Sequence, residues 1–125
     1  MEFLIVPDIL TLHANQLELY GGEFGVRDMG LLESAVAQAQ ASFEGQSLHS
    51  DTFEMAAAYM FHVVQNHPFL DGNKRAGVMA ALVFLDLNGI EIDATKGSLY
   101  ELTMSVATGI TSKSEIAEFF RQVAH

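Results

Sequence analysis

Two stretches of this chain, residues 53–65 and 76–87, are apolar on nearly every side of a helix, whereas the stretches around them are apolar on one side only. The first holds Phe53, Met55, Ala56, Ala57, Tyr59, Met60, Phe61, Val63 and Val64, and helices of that kind lie at the centre of a fold. Its small residues allow a neighbour to approach closely. Asp51 and Glu54 have the spacing in which a cap side chain and a carboxylate three residues on satisfy each other's backbone donors. The second stretch stops at Asn88-Gly89, where glycine suits a left-handed cap.

The one-sided stretches predict the remaining helices. Pro7 fits a first helical turn, and Ile9, Leu12, Leu17 and Leu19 follow as a rough stripe that Gly21-Gly22 stops. Residues 21–28 are expected to be loop, with Asp28 capping a helix over 31–40. Residues 42–50 read as loop or a ragged helix end, and 90–93 as a short extended link. A fifth helix is expected over 95–107, closed by Gly109. Ser112 and Glu115 form a second capping box, opening a last amphipathic helix with Ile116, Phe119, Phe120 and Val123. No run alternates long enough for a sheet. The pattern predicts one all-α domain over residues 1–125, with about six helices around two buried central ones.

The totals narrow the function. A chain of 125 residues, half of them hydrophobic and 18% charged, suffices for a buried core. The net charge of -10, with only six Lys and Arg, argues against direct binding of nucleic acid or an anionic membrane. Cysteine is absent, so disulfides, thiolate metal sites and cysteine nucleophiles are excluded. No signal peptide is evident in the first ten residues, and the apolar runs fall short of the ~20 residues of a membrane span, so a cytoplasmic location is expected.

Chemistry concentrates between the two central stretches, in His67-Pro68-Phe69-Leu70-Asp71-Gly72-Asn73-Lys74-Arg75. Two of the six cations stand side by side here, at the start of a helix, where unpaired N–H groups and the helix dipole favour an anion. Cations oppose that dipole, so a phosphate ligand is the reason expected for them. Pro68 disfavours helix at His67, which places the imidazole on a loop, able to take a proton from a hydroxyl or merely to cap a helix end. Phe69 reads as a core anchor pinning the loop. Asp71 can hold magnesium or cap the helix starting at Asn73. Gly72 permits a tight turn and a close phosphate. Asn73 can orient the carboxylate or bind phosphate, and Lys74 and Arg75 diverge by about 100° around the helix. A rival reading takes His62, His67 and Asp71 as ligands of a transition metal, although a spacing of five does not put both histidines on one helical face. His13, His49 and His125 read as ordinary surface or core residues, and Arg27-Asp28 as a solvated loop or part of a partner surface.

This stretch resembles the Fic/Doc signature His-x-Phe-x-Asp/Glu-Gly/Ala-Asn-x-Arg, matched in full. The ending Asn73-Lys74-Arg75 is similar to the Doc (death-on-curing) branch, whereas adenylyl-transferring Fic enzymes usually carry Gly where Lys74 stands. Tyr20-Gly21-Gly22, the run from Gly25 to Ala35, and the helix end from Phe84 to Gly89 also look Doc-like. The resemblance implies a Fic/Doc-like helical domain and a toxin of a toxin–antitoxin pair. Such a toxin transfers the γ-phosphate of ATP to a protein hydroxyl, in the best understood member a threonine of elongation factor Tu, and stops translation. Carried over, His67 is the general base, Asp71 binds Mg2+, and Gly72, Asn73, Lys74 and Arg75 hold the nucleotide phosphates. Fic-like adenylyl transfer and a catalytically idle, antitoxin-binding fold are the alternatives. Thr111 to Glu115 has the spacing of an internal inhibitory helix, but Ile116 stands where Gly or Asn is needed. Inhibition is therefore expected from a Phd-like antitoxin whose C-terminal helix packs on the domain. Ala76 stands where Doc-like proteins often have Thr.

Overall fold

Residues 52–66 and 73–87 form the two central helices that the apolar pattern requires. The computed structural model describes residues 1–43, 46–47 and 51–125. Its helices are α1 (Val6–Tyr20), α2 (Met29–Gln40), α3 (Thr52–Asn66), α4 (Asn73–Leu87), α5 (Lys96–Ala107) and α6 (Lys113–Val123). Between α2 and α3, Ser42–Phe43 and Gln46–Ser47 pair as a short antiparallel ribbon, β1 and β2. The rest of the loop or ragged helix end expected there lies outside the described residues. Among the described residues no helix is long and apolar enough to cross a membrane.

Helix α3 is the axis of the fold. It packs against α2, α4, α5 and α6, and buries an unbroken run from Met55 to Met60 together with Val63 and Val64. Tyr59 carries the one polar atom of that run. Its hydroxyl accepts from Leu4 N–H at 2.9 Å and donates to Leu4 C=O at 2.8 Å, tying the N-terminal segment onto the core. Burial pushes this phenol above its ordinary range.

Local chemistry sets the helix ends. Asp28 accepts from Leu31 N–H, Asp51 from Glu54 N–H and Thr95 from Ser98 N–H. The capping box of Ser112 and Glu115 is closed in both directions. α4 ends in a double bond pattern, Ile90 N–H to Leu85 C=O and Gly89 N–H to Asp86 C=O, with Gly89 left-handed at φ 81°. The link after it is extended, as expected, and pairs with the chain end through Asp93 N–H to Val123 C=O and His125 N–H to Glu91 C=O.

The approach of α3 to α4 places the site, because the loop joining them carries the polar cluster. It depends on small residues: Ala76, Gly77, Ala80 and Ala81 of α4 are buried. A Cβ on Gly77 would stand 2.6 Å from Val64 Cγ2 and 3.2 Å from Met60 C=O. Alanine gains about 1 kcal/mol of helix propensity over glycine, but overpacking at such distances costs about 1–3 kcal/mol. Gly77→Ala is therefore expected to lower stability in urea unfolding. Val64→Ala in the same chain should recover part of the loss, whereas additive effects would mean the two residues do not meet.

Candidate active site

The loop from His67 to Gly72 is held mainly by the side chain of Asn73, which is only 4% exposed. Its Oδ1 accepts from Phe69 N–H at 2.9 Å and its Nδ2 donates to Phe69 C=O at 3.0 Å. Those two partners fix which end of the amide is nitrogen. The same Nδ2 lies 3.1 Å from His67 Nδ1, so Nδ1 accepts and the neutral imidazole carries its proton on Nε2. His67 itself is exposed and caps α3 in a left-handed conformation, φ 54° and ψ 53°. The expectation of an imidazole just past a helix end holds.

Phe69 is fully buried and anchors the loop, as its type suggests. The ring of His13, from α1, stacks on it with centroids 3.7 Å apart and planes within 5°. His13 Nε2 also donates to Asp71 C=O at 2.7 Å, since a carbonyl can only accept. A single buried histidine thus fixes both the anchor and the acidic residue of the loop.

Asp71 is not the N-cap of α4. Gly72 takes that position at φ 79°, and no side chain caps the helix. The Asp71 carboxylate instead accepts from Glu23 N–H at 3.1 Å and from Gly72 N–H at 2.8 Å. These two bonds, with the nearby Arg75, hold its pKa below the ordinary carboxylate value. It is therefore an exposed, charged oxygen donor with lone pairs to spare, a donor suited to a hard cation that shares its shell with phosphates. The first backbone bond of α4 runs from Ala76 N–H to Gly72 C=O. The N–H groups of Asn73, Lys74 and Arg75 precede the ladder and have no partner within the helix, an arrangement that favours an anion.

This helix start opens into a cleft of about 690 Å³, a size usual for small-ligand pockets. Asp71, Gly72 and the three residues after it line one end, with Gln16 and Tyr20 of α1. Val78, Met79 and Leu82 of α4 face Lys96, Leu99, Tyr100, Thr103 and Met104 of α5 along the rest. Among the described residues the only ion pairs belong to Arg121, which binds Asp51, Glu54 and Glu118. None of the cleft cations Lys74, Arg75 and Lys96 is in an ion pair among the described residues, although Arg75 lies near enough to Asp71 to help lower its pKa. Arg75 donates through Nη1 to Gly21 C=O at 3.0 Å, fastening the end of α1, while Lys74 is exposed at the rim. His67 is not among the residues lining the cleft.

The sequence pattern of the Fic/DOC family matches residues 3–85, which carry α1 to α4 and this loop. The chain belongs to the Fic/DOC family. It is 32% identical over 123 residues to the Protein kinase doc of Escherichia phage P1, covering 98% of this chain and 96% of the relative. It is 41% identical over 93 residues to the Toxin Doc of Mycolicibacterium smegmatis, covering 74% of this chain and 69% of the relative. The Fic/DOC match stops inside α4, so the α5 wall of the cleft lies beyond it.

Within this Fic/DOC site, the structure brings Asp71, Gly72, Asn73, Lys74 and Arg75 to one cleft end and places His67 beside them through Asn73. The side chain of Asn73 is taken up by the loop, on Phe69 and His67. The rival metal set is not assembled: His62 Nε2 lies 3.1 Å from Lys113 Nζ, and no group of three His, Asp or Glu suited to a metal occurs among the described residues. Sequence reasoning passed over His13, the α5 wall and Gly22. Only the adjacent glycines at the end of α1 signalled the last. A Cβ on Gly22, at φ 130°, would stand 2.8 Å from Asp71 Oδ2, 3.2 Å from Arg75 Nη2 and 2.7 Å from Leu17 Cδ2. Gly22→Ala is expected to cost about 1–3 kcal/mol of stability and to weaken pyrophosphate binding, measured by urea unfolding and calorimetric titration. Unchanged binding would show that the crossing of Gly22 over the cradle has no bearing on the anion.

Proposed function

We propose that this chain is the toxin of a toxin–antitoxin pair and transfers the γ-phosphate of ATP to a hydroxyl of a translation factor, elongation factor Tu being the candidate the resemblance offers. The observation that carries this reading is the uncapped start of α4. Three backbone N–H groups without helical partners and two cations in no ion pair among the described residues stand at the end of a cleft of about 690 Å³. The relatives support it by name, one being a toxin and the other a protein kinase.

In this reading the residues divide the work. The N–H groups of Asn73, Lys74 and Arg75 and the two side-chain cations bind phosphate oxygens, offsetting the charge spread over them during transfer. Asp71 is the residue to hold a magnesium ion, and its lowered pKa keeps it charged for that role at neutral pH. A bound magnesium ion supplies positive charge shared among the phosphates. His67 takes the proton of the attacking hydroxyl. With Asn73 donating to Nδ1, the basic lone pair of the neutral ring is on Nδ1; uptake at Nε2 requires the other tautomer and a new partner for Asn73. The apolar length of the cleft between α4 and α5 accommodates the nucleoside. The antitoxin is proposed to be a separate, Phd-like chain whose C-terminal helix packs on this domain.

The test is intact-mass analysis of elongation factor Tu and other translation factors incubated with the protein, ATP and magnesium. A gain of about 80 Da that disappears in His67→Ala is expected for phosphate transfer. A gain of about 329 Da would instead establish adenylyl transfer, and no gain on any factor would remove the proposed acceptor class. Because His67 is exposed, His67→Ala should fold as the wild type does while losing at least about 100-fold in rate. Lys74→Gly is expected to slow phosphate transfer by about 10-fold or more, as loss of a charge-assisted contact would. Unchanged kinetics in that variant would sever the link between Lys74 and the kinase reading.

A further inference from the structure

We propose that Arg27 is a positioning residue, holding His67 in its left-handed turn by taking up the carbonyl groups at the end of α3; its catalytic consequence rests on the proposed role of His67 as base. Among the described residues His67 is the only non-glycine with positive φ. That conformation is sterically disfavoured for a side chain of this size, and the following Pro68 biases its predecessor toward extended backbone. Asn73 holds the ring of His67 and Val63 C=O takes its N–H, which leaves its carbonyl to be held from outside the loop. α3 has no basic residue in its own last turn. Arg27 arrives from the segment between α1 and α2 and donates through Nε to His67 C=O at 2.7 Å and through Nη2 to Asn66 C=O at 3.0 Å.

The arrangement is specific to a guanidinium. Two carbonyls are met by two donors of one planar fork, and the positive charge lies at the negative end of a helix of 15 residues. Arg27 forms no ion pair among the described residues, so a salt bridge is not its reason for being there. Its backbone is fixed from both sides. Arg27 N–H and Asp28 N–H both donate to Pro68 C=O, at 2.7 and 3.0 Å, and Leu70 N–H donates to Gly25 C=O at 3.1 Å. Val26 and Phe69 face each other as an isolated antiparallel bridge. Asp28 also caps α2, so the segment is anchored on α2 while Arg27 reaches the base.

The test compares wild type, Arg27→Gln and Arg27→Lys as full-length chains in two measurements. The first is the set of backbone NMR shifts of His67, which distinguish left-handed from extended conformation and need no activity. The second is steady-state kinetics of phosphate transfer. Arg27→Gln is expected to shift His67 toward extended values and to lower kcat by about 10- to 100-fold, with KM for ATP within about 2-fold, as for misplacement of a reacting group. Arg27→Lys, which keeps the charge but not the fork, should fall between. Left-handed shifts in Arg27→Gln, or wild-type kcat despite moved shifts, would overturn the proposal. If Arg27→Gln does not fold, the same criteria apply to Arg27→Lys. A wild type that transfers no phosphate would fail the kinase reading itself, and the NMR comparison would still decide whether Arg27 holds the turn.

Discussion

The site depends on one buried amide. Asn73 spends both ends of its side chain backward, on the two backbone groups of Phe69 and on His67 Nδ1. This closes the loop into one shape, and it also occupies the side chain of the residue at the first helical position, leaving only its backbone at the cleft. Gly72, at the cap position, has no side chain to cap with, and Asp71 is occupied by Gly72 N–H and Glu23 N–H. Three residues that would commonly cap a helix thus leave α4 open. The open helix start is a consequence of how the loop is tied, and not a separate device added to it.

The same economy governs charge. The protein is strongly acidic, yet the cations of the cleft are in no ion pair among the described residues, while Arg121 takes up three acidic groups, Asp51, Glu54 and Glu118. A cation paired with a carboxylate offers a ligand little, because its field is already offset. Asp71 is the exception at the cleft, and it is kept ionised chiefly by two N–H groups with a smaller contribution from Arg75. Negative charge elsewhere on the surface repels other polyanions. A small phosphate ligand that reaches the helix start meets a positive site all the same.

The helices were legible because their evidence is local: two stretches apolar on nearly all sides, three capping aspartates or hydroxyls and three glycine-ended turns each lie within a few residues of what they control. The motif was legible for the same reason. What escaped was carried by contacts between residues distant in the chain. His13 is 58 positions from Asp71, and on α1 it is one polar residue of an amphipathic helix, indistinguishable from an ordinary histidine until its ring is seen on Phe69. Arg27 read as a solvated loop cation because its partners are about 40 positions away. Asp71 read equally as a cap, because the Glu23 N–H that draws it elsewhere comes from another loop. The α5 wall of the cleft gave no signal at all, since apolar residues at helical spacing look the same whether they face a core or a ligand.

The placement of His67 bears on the kind of acceptor. An enzyme acting on a small hydroxyl encloses its base, because expelling water strengthens the charges that do the work. Here the imidazole is exposed and is not among the residues lining the cleft. In the proposed reading, the acceptor hydroxyl reaches this imidazole from open surface. An exposed base of this kind is best completed by an acceptor broad enough to bring its own surface and exclude water itself. That requirement is met by a folded protein and not by a free metabolite, so the openness of the histidine side is itself an argument for a macromolecular target.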